Sequence, residues 1–198
     1  MLATRNAGKV RELNALFATH GIAIEDLAAA GVMEDCEAEE AIEAFETFEE
    51  NAIAKARYFA SRLPGRAVVA DDSGLVVHAL GGAPGVRSKR WSGPADLSGA
   101  ALDAANNERL VHALHGIDDR GACFVCVAAW CTGREEIIAR GEVEGHIIDE
   151  SRGAHGFGYD PHFFVDELGM TMAEATIAEK ERVSHRGRAF ARLLELIG

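Results

Sequence analysis

Apolar residues recur with helical spacing in several stretches of the chain, and four helices are predicted from them. One follows the turn at 4–9, a second ends at Pro64 and Gly65, a third runs from about Ser98 to Leu114, and the last begins near Ser184. The inward-facing residues predicted for the first, second and last helices are Val10, Leu13, Leu16 and Phe17; Ile53, Ala56, Phe59 or Ala60, and Leu63; and Phe190, Leu193, Leu194 and Ile197.

Apolar runs between these helices predict the strands. They are the end of a short strand at Leu2 and Ala3, a short buried strand at Val68 to Ala70, and longer strands at Ala122 to Trp130 and about Glu135 to Val143. Because strands and helices interleave, the sequence predicts an α/β fold. The acidic stretch from Glu34 to Glu50 is expected to be mostly exposed.

Size and charge narrow the possible functions. A chain of 198 residues with 48% hydrophobic and 26% charged residues is expected to form one compact domain over 1–198, or two lobes sharing a core. The net charge of −12 argues against a protein that grips a nucleic-acid backbone, because that task requires a basic face. A small phosphorylated substrate stays compatible with this charge, since a local basic pocket and a divalent cation can hold it.

No stretch approaches the roughly 20 apolar residues that span a bilayer, so no membrane partner is expected. The first residues do not read as a signal peptide, and the cytoplasm is the expected compartment. Cys123 and Cys126 form a C-x-x-C pattern within an apolar run. If that run is a strand, the two thiols point to opposite faces and cannot share a metal, so buried structural thiols are favoured over a redox or zinc site.

Two segments pair polar side chains with a predicted strand. In the turn from Thr4 to Lys9, backbone N–H groups and the helix dipole suit an anion, although an ordinary turn with a surface lysine is the alternative. Asp71 and Asp72 follow a predicted buried strand, where a carboxylate could hold Mg²⁺ or act as a general base. A solvated turn with Asp71 capping a backbone group is the alternative there. Glu50 offers a further carboxylate, or simply a favourable helix start.

Two later segments carry weaker signals. The glycines and aromatics from Gly156 to Pro161 could let the backbone approach a flat ligand, or could form a tight turn that packs its rings into the core. Lys180 and the run from Ser184 to Gly187 could hold phosphates or a carbonyl oxygen. Surface positions are the alternative for these basic residues, and Ser184 is a good helix N-cap in either case.

Taken together, these segments resemble the inosine triphosphate pyrophosphatase family, which hydrolyses non-canonical purine nucleoside triphosphates. Any one of them is unspecific, but the set is specific and spans nearly the whole chain. The matching segments are ATRNAGKVREL at 3–13, TFEENAIAKAR at 47–57, ADDSGLVVHALGGAPGVRSKRWSG at 70–93, GEVEGHI at 141–147, GFGYDPHFF at 156–164 and EKERVSHRG at 179–187.

The resemblance implies a function and a fold. It implies hydrolysis of ITP, dITP and XTP to the monophosphate and pyrophosphate, which removes these nucleotides from the pool. The implied fold is an elongated mixed β-sheet flanked by helices, with two lobes and a cleft between them, usually in a homodimer. The implied cofactor is Mg²⁺, held by Glu50 and Asp72.

The resemblance also assigns roles to individual residues. Asp72 is the implied proton acceptor for the attacking water. The implied substrate-binding residues are Thr4, Asn6 and Lys9 for the phosphates, Ser73 for the nucleotide, and Phe157, Gly158, Tyr159, Asp160, Lys180, His185 and Arg186 for the base and phosphate pocket. The residues alone leave open whether Asp71 or Asp72 is the base.

Three features depart from the family pattern. Arg5 stands where the family usually has a small or neutral residue, which predicts extra charge or a different shape at the phosphate turn. Phe45 stands where a glycine tends to precede the TFEEN run, which leaves the approach to Glu50 open. The first strand is several residues shorter than usual.

Specificity and two rival functions follow from the same residues. Backbone N–H groups around Phe157 to Asp160, with His185 or Arg186, are candidate donors to a 6-oxo purine, whereas an adenine amino group would leave them unpaired.

A Maf-type pyrophosphatase is a close rival, disfavoured by the FGYD and SHRG runs. A nucleotide- or nucleic-acid-binding module without catalysis is disfavoured by Glu50, the aspartate pair and the acidic charge.

Overall fold

A computed structural model describes residues 1–33, 36–42, 44–93 and 97–198, without the side chains of 36, 37, 40 and 181. Within these residues helices and strands interleave, which confirms the α/β prediction. The helices are α1 (Ala7–Thr19), α2 (Cys36–Ala41), α3 (Phe48–Arg62), α4 (Gly99–Ala113), α5 (Ile177–Val183) and α6 (His185–Ile197). The strands are β1 (Val68–Val77), β2 (Gly121–Cys131), β3 (Glu136–Ile147), β4 (Phe163–Val165) and β5 (Met170–Thr171), and short 3₁₀ helices cover His78–Leu80 and Gly85–Arg90.

Three of these helices begin at side-chain caps, of which the sequence predicted the one at Ser184. Asn6 Oδ1 accepts from the backbone N–H groups of Gly8 and Lys9 at 2.8 and 3.1 Å, which starts α1. Thr47 starts α3 and Ser184 starts α6 through the same type of bond. The predicted inward residues of α1 and α6 are confirmed, since Leu13, Leu16, Phe17, Phe190 and Leu193 are buried and Val10, Leu194 and Ile197 are half-buried.

The inward face of α3 differs from the prediction. Ala56, Phe59 and Ala60 are buried as expected, but Ile53 and Leu63 are only half-buried. The buried face also includes the polar residues Asn51 and Lys55. Both can be buried because each has a hydrogen-bond partner inside the protein. The prediction considered only apolar residues, so it placed the buried face about one position away from where it lies.

The strands form one sheet in the order β1-β2-β3-β4-β5. β4 pairs antiparallel with β3 and with β5, and Phe164 lies opposite His146 on one side and Thr171 on the other. Leu2 forms isolated parallel bridges to Asp26 and Val69, so the sheet is mixed in direction as expected. β4 has three residues and β5 has two, so both are too short to show the alternation of apolar and polar residues by which a strand is recognised in a sequence.

The prediction that a short strand ends at Ala70 is wrong. β1 continues through Asp71, Asp72 and Ser73 to Val77, so the two aspartates lie inside a strand and not at its carboxyl edge. A buried carboxylate is tolerated within this strand because cations from two helices compensate its charge.

The chain divides into two compact units. The first unit is Met1–Ser73, Cys126–Gly141 and Glu181–Gly198, and the second unit is Gly74–Val125 and Glu142–Lys180. Each has its own apolar core. The first core includes Leu2, Leu13, Phe17, Phe190 and Leu193, and the second includes Leu75, Leu110, Phe124, Tyr159 and Phe163.

Gly141 brings β3 close to the start of α6 within the first unit. A Cβ at this position would lie 2.3 Å from both the His185 carbonyl oxygen and the Ala189 nitrogen, so no larger residue fits. The glycine that opens the GEVEGHI segment therefore helps to fix α6, which carries His185 and Arg186.

The cysteines agree with the structural interpretation of their pattern. Cys123, Cys126 and Cys131 are buried and unbridged. Cys123 lies in the second unit and Cys126 in the first. In the described part of the chain, no helix combines the length and the apolar character that crossing a membrane requires.

Candidate functional site

Lys9, in the first turn of α1, forms an ion pair with Asp71 of β1. Lys9 Nζ donates to Asp71 Oδ2 at 2.8 Å, and the aspartate side chain is fully buried. Arg186 Nε, from α6, lies 3.6 Å from the same oxygen. The predicted phosphate-binding lysine and arginine are thus brought together around one carboxylate within the first unit.

The surroundings of Asp71 keep its carboxylate ionised. Burial alone would raise the pKa of Asp71, but the charges of Lys9, Arg186 and Lys55 outweigh burial and hold the pKa below its ordinary range. The second oxygen, Oδ1, is buried without a hydrogen-bond partner among the described residues. Such a carboxylate organises cations but is a poor acceptor for a proton from water.

Arg186 connects three groups with its planar guanidinium. Besides its approach to Asp71, Nη1 donates to Glu12 Oε2 at 2.5 Å and Nη2 donates to Ser73 Oγ at 3.1 Å. Burial opposes the charge on Arg186, yet Asp71 and Glu12 raise its pKa above the ordinary value. Glu12 was missed in the sequence because a glutamate in α1 resembles any exposed helical residue.

Lys55 is a second residue that the sequence did not single out. Its Nζ donates to the backbone carbonyl oxygen of Asp71 at 2.9 Å, and the residue is only 9% exposed. Lysines are rarely buried without a specific partner, so the one available signal was its position on the apolar face of α3.

Asp72 has a different environment from Asp71. It is half-buried, and its Oδ2 accepts from Asn51 Nδ2 at 3.0 Å. Asn51 is itself fixed, since it also donates to the Phe45 carbonyl oxygen at 3.2 Å and accepts from the Phe45 N–H at 3.0 Å. Phe45, which departs from the family pattern, therefore holds Asn51 with its backbone N–H and carbonyl groups, and Asn51 in turn orients Asp72.

Glu50 lies next to Asn51 in the first turn of α3 and is exposed. Its Oε2 accepts from Thr47 Oγ1 at 2.7 Å, and its backbone N–H donates to the same hydroxyl at 3.2 Å. Thr47 is thus a side-chain N-cap whose hydroxyl also bonds the Glu50 carboxylate, which agrees with the helix-start interpretation for one of the Glu50 oxygens. The other oxygen can serve as a ligand to a cation.

The turn from Thr4 to Lys9 is partly occupied by its own side chains. Asn6 Oδ1 already accepts from Gly8 and Lys9, and Thr4 Oγ1 accepts from the Asn6 N–H at 3.2 Å. The expectation of unpaired N–H groups throughout this turn is therefore wrong for these three groups. Donors that the turn can offer to an anion are the Asn6 amide, the Thr4 hydroxyl and the Lys9 ammonium.

Arg5 directs its charge toward the segment at 32–39. Its guanidinium forms two bonds with the Glu39 carboxylate at 2.7 and 2.9 Å. It also donates to the carbonyl oxygens of Val32 and Met33 at 3.2 and 3.1 Å. The charge of Arg5 is thus paired with Glu39, and this pair accounts for the arginine at a position where the family usually has a small or neutral residue. Within the acidic stretch, residues 34, 35 and 43 lie outside the described residues.

Five further predicted residues, Phe157 to Asp160 and Lys180, lie in the second unit, whereas His185 lies in the first unit at the start of α6. Lys180 Nζ donates to Asp160 Oδ2 at 2.6 Å in a buried ion pair, and the Phe157 N–H donates to the same oxygen at 3.3 Å. Tyr159 is buried, and its hydroxyl donates to the Ser88 carbonyl oxygen at 2.8 Å. Burial, together with the nearby Asp103 charge, raises the pKa of Tyr159.

Gly156 is required by this ion pair. Its φ of +88° is left-handed, and a Cβ there would lie 2.0 Å from Asp160 Oδ2 and 2.4 Å from Lys180 Nζ. Gly156 therefore serves the tight packing of a charged pair as well as the backbone conformation, whereas Gly158 serves the conformation alone.

One acidic group in the described residues has the spacing of a metal site. Cys123 Sγ and the carboxylates of Glu142 and Glu144 lie within 4.8 Å of one another on β2 and β3. The two glutamates share a face because they are two residues apart in a strand, a signal that the sequence did contain. Burial and these acids raise the pKa of the Cys123 thiol to about 12, which keeps it protonated and weakens it as a ligand.

Comparison with known proteins relates the whole chain to one family. A dITP/XTP pyrophosphatase from Ralstonia nicotianae is 50% identical over 198 residues, which cover 98% of this chain and 94% of that protein. A dITP/XTP pyrophosphatase from Caldanaerobacter subterraneus is 39% identical over 199 residues, covering 100% of this chain and 94% of that protein.

Solved structures agree with these sequence relatives. The Ham1 protein of Staphylococcus aureus matches with a TM-score of 0.81 at 36% identity, over 99% of this chain and 96% of that one. A HAM1 protein from Coxiella burnetii matches with a TM-score of 0.82 at 37% identity, over the same shares. The resemblance drawn from the sequence is confirmed. Since the model of the Ham1 family matches residues 1–196, this chain belongs to the Ham1 family.

Proposed function

We propose that this chain hydrolyses non-canonical purine nucleoside triphosphates, such as ITP, dITP and XTP, to the monophosphate and pyrophosphate. The observation that carries the proposal is the convergence of Lys9, Arg186 and Lys55 on Asp71, next to the half-buried Asp72. This is a cationic site beside a carboxylate that can accept a proton. Relatives named dITP/XTP pyrophosphatase, which match this chain over 94% and 92% of their own lengths, support the same activity.

Asp72 is the proton acceptor in this proposal. Asp71 is buried and its lowered pKa makes its carboxylate a weak base, whereas Asp72 is half-buried and reachable from solvent. The Asn51 amide holds Asp72 in place through its Oδ2, and the carboxylate is the group that receives the proton of the attacking water in this proposal. The adjacent acids thus have different roles because their surroundings differ.

The oxygen ligands of the first unit fit Mg²⁺. This ion takes one or two carboxylates together with water and substrate phosphates, and Asp72 and Glu50 supply that number of carboxylates. Bound there, it would neutralise charge on the phosphates and on the leaving pyrophosphate. The donor set of Cys123 with two glutamates is less suited to Mg²⁺, because a thiol is a soft ligand.

The cationic residues hold the phosphates in this proposal. A triphosphate carries about four negative charges, which a metal ion and several basic side chains must offset. The Lys9 ammonium has three N–H donors, and one of them bonds Asp71. The Thr4 hydroxyl and the Asn6 amide lie in the same turn and are further proposed donors to the phosphates. Arg186 brings Ser73 into the site through its bond to Oγ, and His185 precedes it at the start of α6.

The loop from Gly156 to Asp160 is the proposed base-recognition element, together with Lys180, His185 and Arg186. The N–H groups of Phe157, Gly158 and Asp160 already donate within the protein, so the prediction that they donate to a purine is wrong for these three groups. The remaining donors of the loop and of the basic side chains are the ones proposed for the 6-oxo group of inosine or xanthosine. Those donors would meet the amino group of adenine instead. Each donor left unpaired in this way costs about 1–3 kcal/mol. Discrimination of about tenfold or more per donor is therefore expected.

A nucleotide panel tests the proposal. Hydrolysis of ITP, XTP, dITP, ATP and GTP with Mg²⁺ is followed by release of pyrophosphate. The proposal expects high kcat/KM for the first three and low kcat/KM for ATP. GTP, which also carries a 6-oxo group, reports whether the 2-amino group is tolerated. Comparable efficiency on ATP would refute the proposed selectivity, and preference for modified pyrimidine nucleotides would favour a Maf-type activity.

Three further expectations belong to the same proposal. The whole chain acts as one catalytic domain, it works as a homodimer, and it acts in the cytoplasm, where its substrates arise. Sedimentation of the purified protein tests the dimer.

A further inference from the structure

Two residues of α4 hold both polar groups of one glycine in the base-recognition loop. The Gly158 N–H donates to Asp103 Oδ2 at 2.9 Å, and Asn107 Nδ2 donates to the Gly158 carbonyl oxygen at 2.9 Å. Asp103 and Asn107 are four residues apart, so they stand on the same face of the helix. We call this pair the α4 clamp.

The α4 clamp fixes the two peptide planes that flank Gly158. With its N–H and its carbonyl both bonded, this residue cannot rotate without losing one of the bonds. Its φ of +62° is a left-handed conformation that a glycine adopts without cost but does not hold by itself. The clamp therefore supplies the rigidity that the glycine lacks.

The helix that carries the clamp is itself anchored. Asn106 Oδ1 accepts from the Ser92 N–H at 2.7 Å, and its Nδ2 donates to the Lys89 carbonyl oxygen at 3.1 Å. Neighbouring amides on α4 thus have separate tasks, since Asn106 fastens the helix and Asn107 fastens the loop. A clamp on a fixed helix can hold a recognition loop precisely.

Asn107 is a poor choice for stability alone. Its Oδ1 is buried without a hydrogen-bond partner among the described residues, which costs free energy that an apolar side chain would not. The bond from its Nδ2 to the Gly158 carbonyl oxygen is the favourable interaction that offsets this cost. This imbalance indicates a role in the loop and not in the packing of α4.

We propose that Asp103 and Asn107 are positioning residues for purine selection, acting through the backbone of Gly158. The inference rests on the proposed function and adds residues that determine how strictly a 6-oxo purine is preferred. Loss of the clamp lets the loop reorient its N–H groups, so they can accommodate adenine as well as a 6-oxo purine.

Amide hydrogen exchange tests the clamp independently of catalysis. In Asp103→Ala, the peptide spanning residues 154–161 exchanges faster than in the wild type. In Asp103→Asn, which keeps an acceptor oxygen for the Gly158 N–H, slow exchange is largely restored. Equal exchange in the wild type and both variants overturns the clamp.

Kinetics test its role in selection. For Asp103→Ala and Asn107→Ala, KM for ITP rises and the ratio of kcat/KM for ITP to that for ATP falls about tenfold, with a smaller change in kcat. Asp103→Asn recovers most of the ratio. Glu108→Ala is the matched control, because this side chain is exposed on the same helix and forms none of the bonds of the clamp, and it keeps the wild-type ratio.

The outcomes separate two failures. If ITP and ATP efficiencies change by the same factor in all variants, the selection role is overturned while the proposed function stands. If the wild-type protein hydrolyses no purine triphosphate, the proposed function fails, and the selection role fails with it. Hydrogen exchange then still decides whether the clamp exists.

Discussion

Lys9 and Asp71 are 62 residues apart in the sequence, and their side chains meet at 2.8 Å. This ion pair joins the first turn of α1 to the middle of β1. Since the carboxylate of Asp71 is fully buried and stays ionised, it holds the lysine and Arg186 in place without competing as a base. The neighbouring Asp72 is left as the carboxylate that can take a proton.

Asp72→Asn is predicted to abolish most turnover while nucleotide binding persists. The amide keeps an oxygen for the bond from Asn51 but cannot accept a proton from water. Loss of a general base lowers kcat by about a hundredfold or more. The rate of pyrophosphate release from ITP and the Kd for the nucleotide measure the two effects.

Turnover within a few-fold of the wild type in Asp72→Asn would contradict the assigned base. A wild-type protein that binds ITP without any turnover would instead favour a nucleotide-binding module.

Asp71→Asn is predicted to destabilise the fold. It removes the charge that compensates Lys9 and Arg186, and Arg186 is buried. Removing one partner of a buried ion pair costs about 3 kcal/mol of unfolding free energy. Urea unfolding at pH 7 measures the loss.

Asp149→Asn is the control for this substitution, since it breaks the more exposed pair with Arg120. It is expected to cost less than about 1 kcal/mol. Equal losses of unfolding free energy in the two variants would mean that the buried ion pairs of Asp71 stabilise the fold no more than an exposed pair does.

The contribution of Asp71 to stability is predicted to disappear in acid. Because its pKa is lower in the folded protein than the roughly 3.9 of the unfolded chain, its contribution is complete above about pH 5. As pH falls below about 4, the unfolded chain takes up a proton that folded Asp71 does not, and stability falls. The difference in unfolding free energy between the wild type and Asp71→Asn should therefore shrink from pH 5 to pH 3. A difference that stays constant would contradict the assigned shift.

Gly156→Ala is predicted to disrupt the pair between Asp160 and Lys180. The added Cβ would lie within 2.4 Å of charged atoms in both side chains. We expect a lower Tm and a higher KM for ITP. Gly133→Ala is the matched control, since its φ of +81° is similar and no atom lies within 4 Å of the added Cβ. It should show only the left-handed strain, about 1–2 kcal/mol. An equal loss of stability in both variants would show that the clash is relieved without cost.

The fold was predictable where local patterns agree with packing. α1 has an apolar stripe, so its buried face followed from the sequence, but it begins at Ala7, inside the segment 4–9 that was predicted as a turn. β1 was cut short in the prediction because two aspartates and a glycine usually mark a turn. Only the cations of distant helices make Asp71 acceptable inside a strand, and such partners are invisible in a local window.

The candidate site was predictable where residues lie in recognisable segments. Lys9, Asp72 and Arg186 were singled out from the segments that carry the family resemblance. Lys55 was missed because a lysine on a helix is normally solvated, and its partner is a backbone oxygen. The α4 clamp was missed for a related reason, since Asp103 and Asn107 bond to backbone groups of Gly158, and backbone partners leave no pattern in the sequence.

One competition experiment tests the central claim most directly. ITP and ATP are mixed at equal concentration with Mg²⁺ and the wild-type protein. The nucleotides are then separated by ion-pair chromatography, and the phosphate products are identified by ³¹P NMR. The account predicts that ITP is converted to IMP and pyrophosphate while ATP persists. Formation of IDP and inorganic phosphate, or equal consumption of both nucleotides, would contradict it.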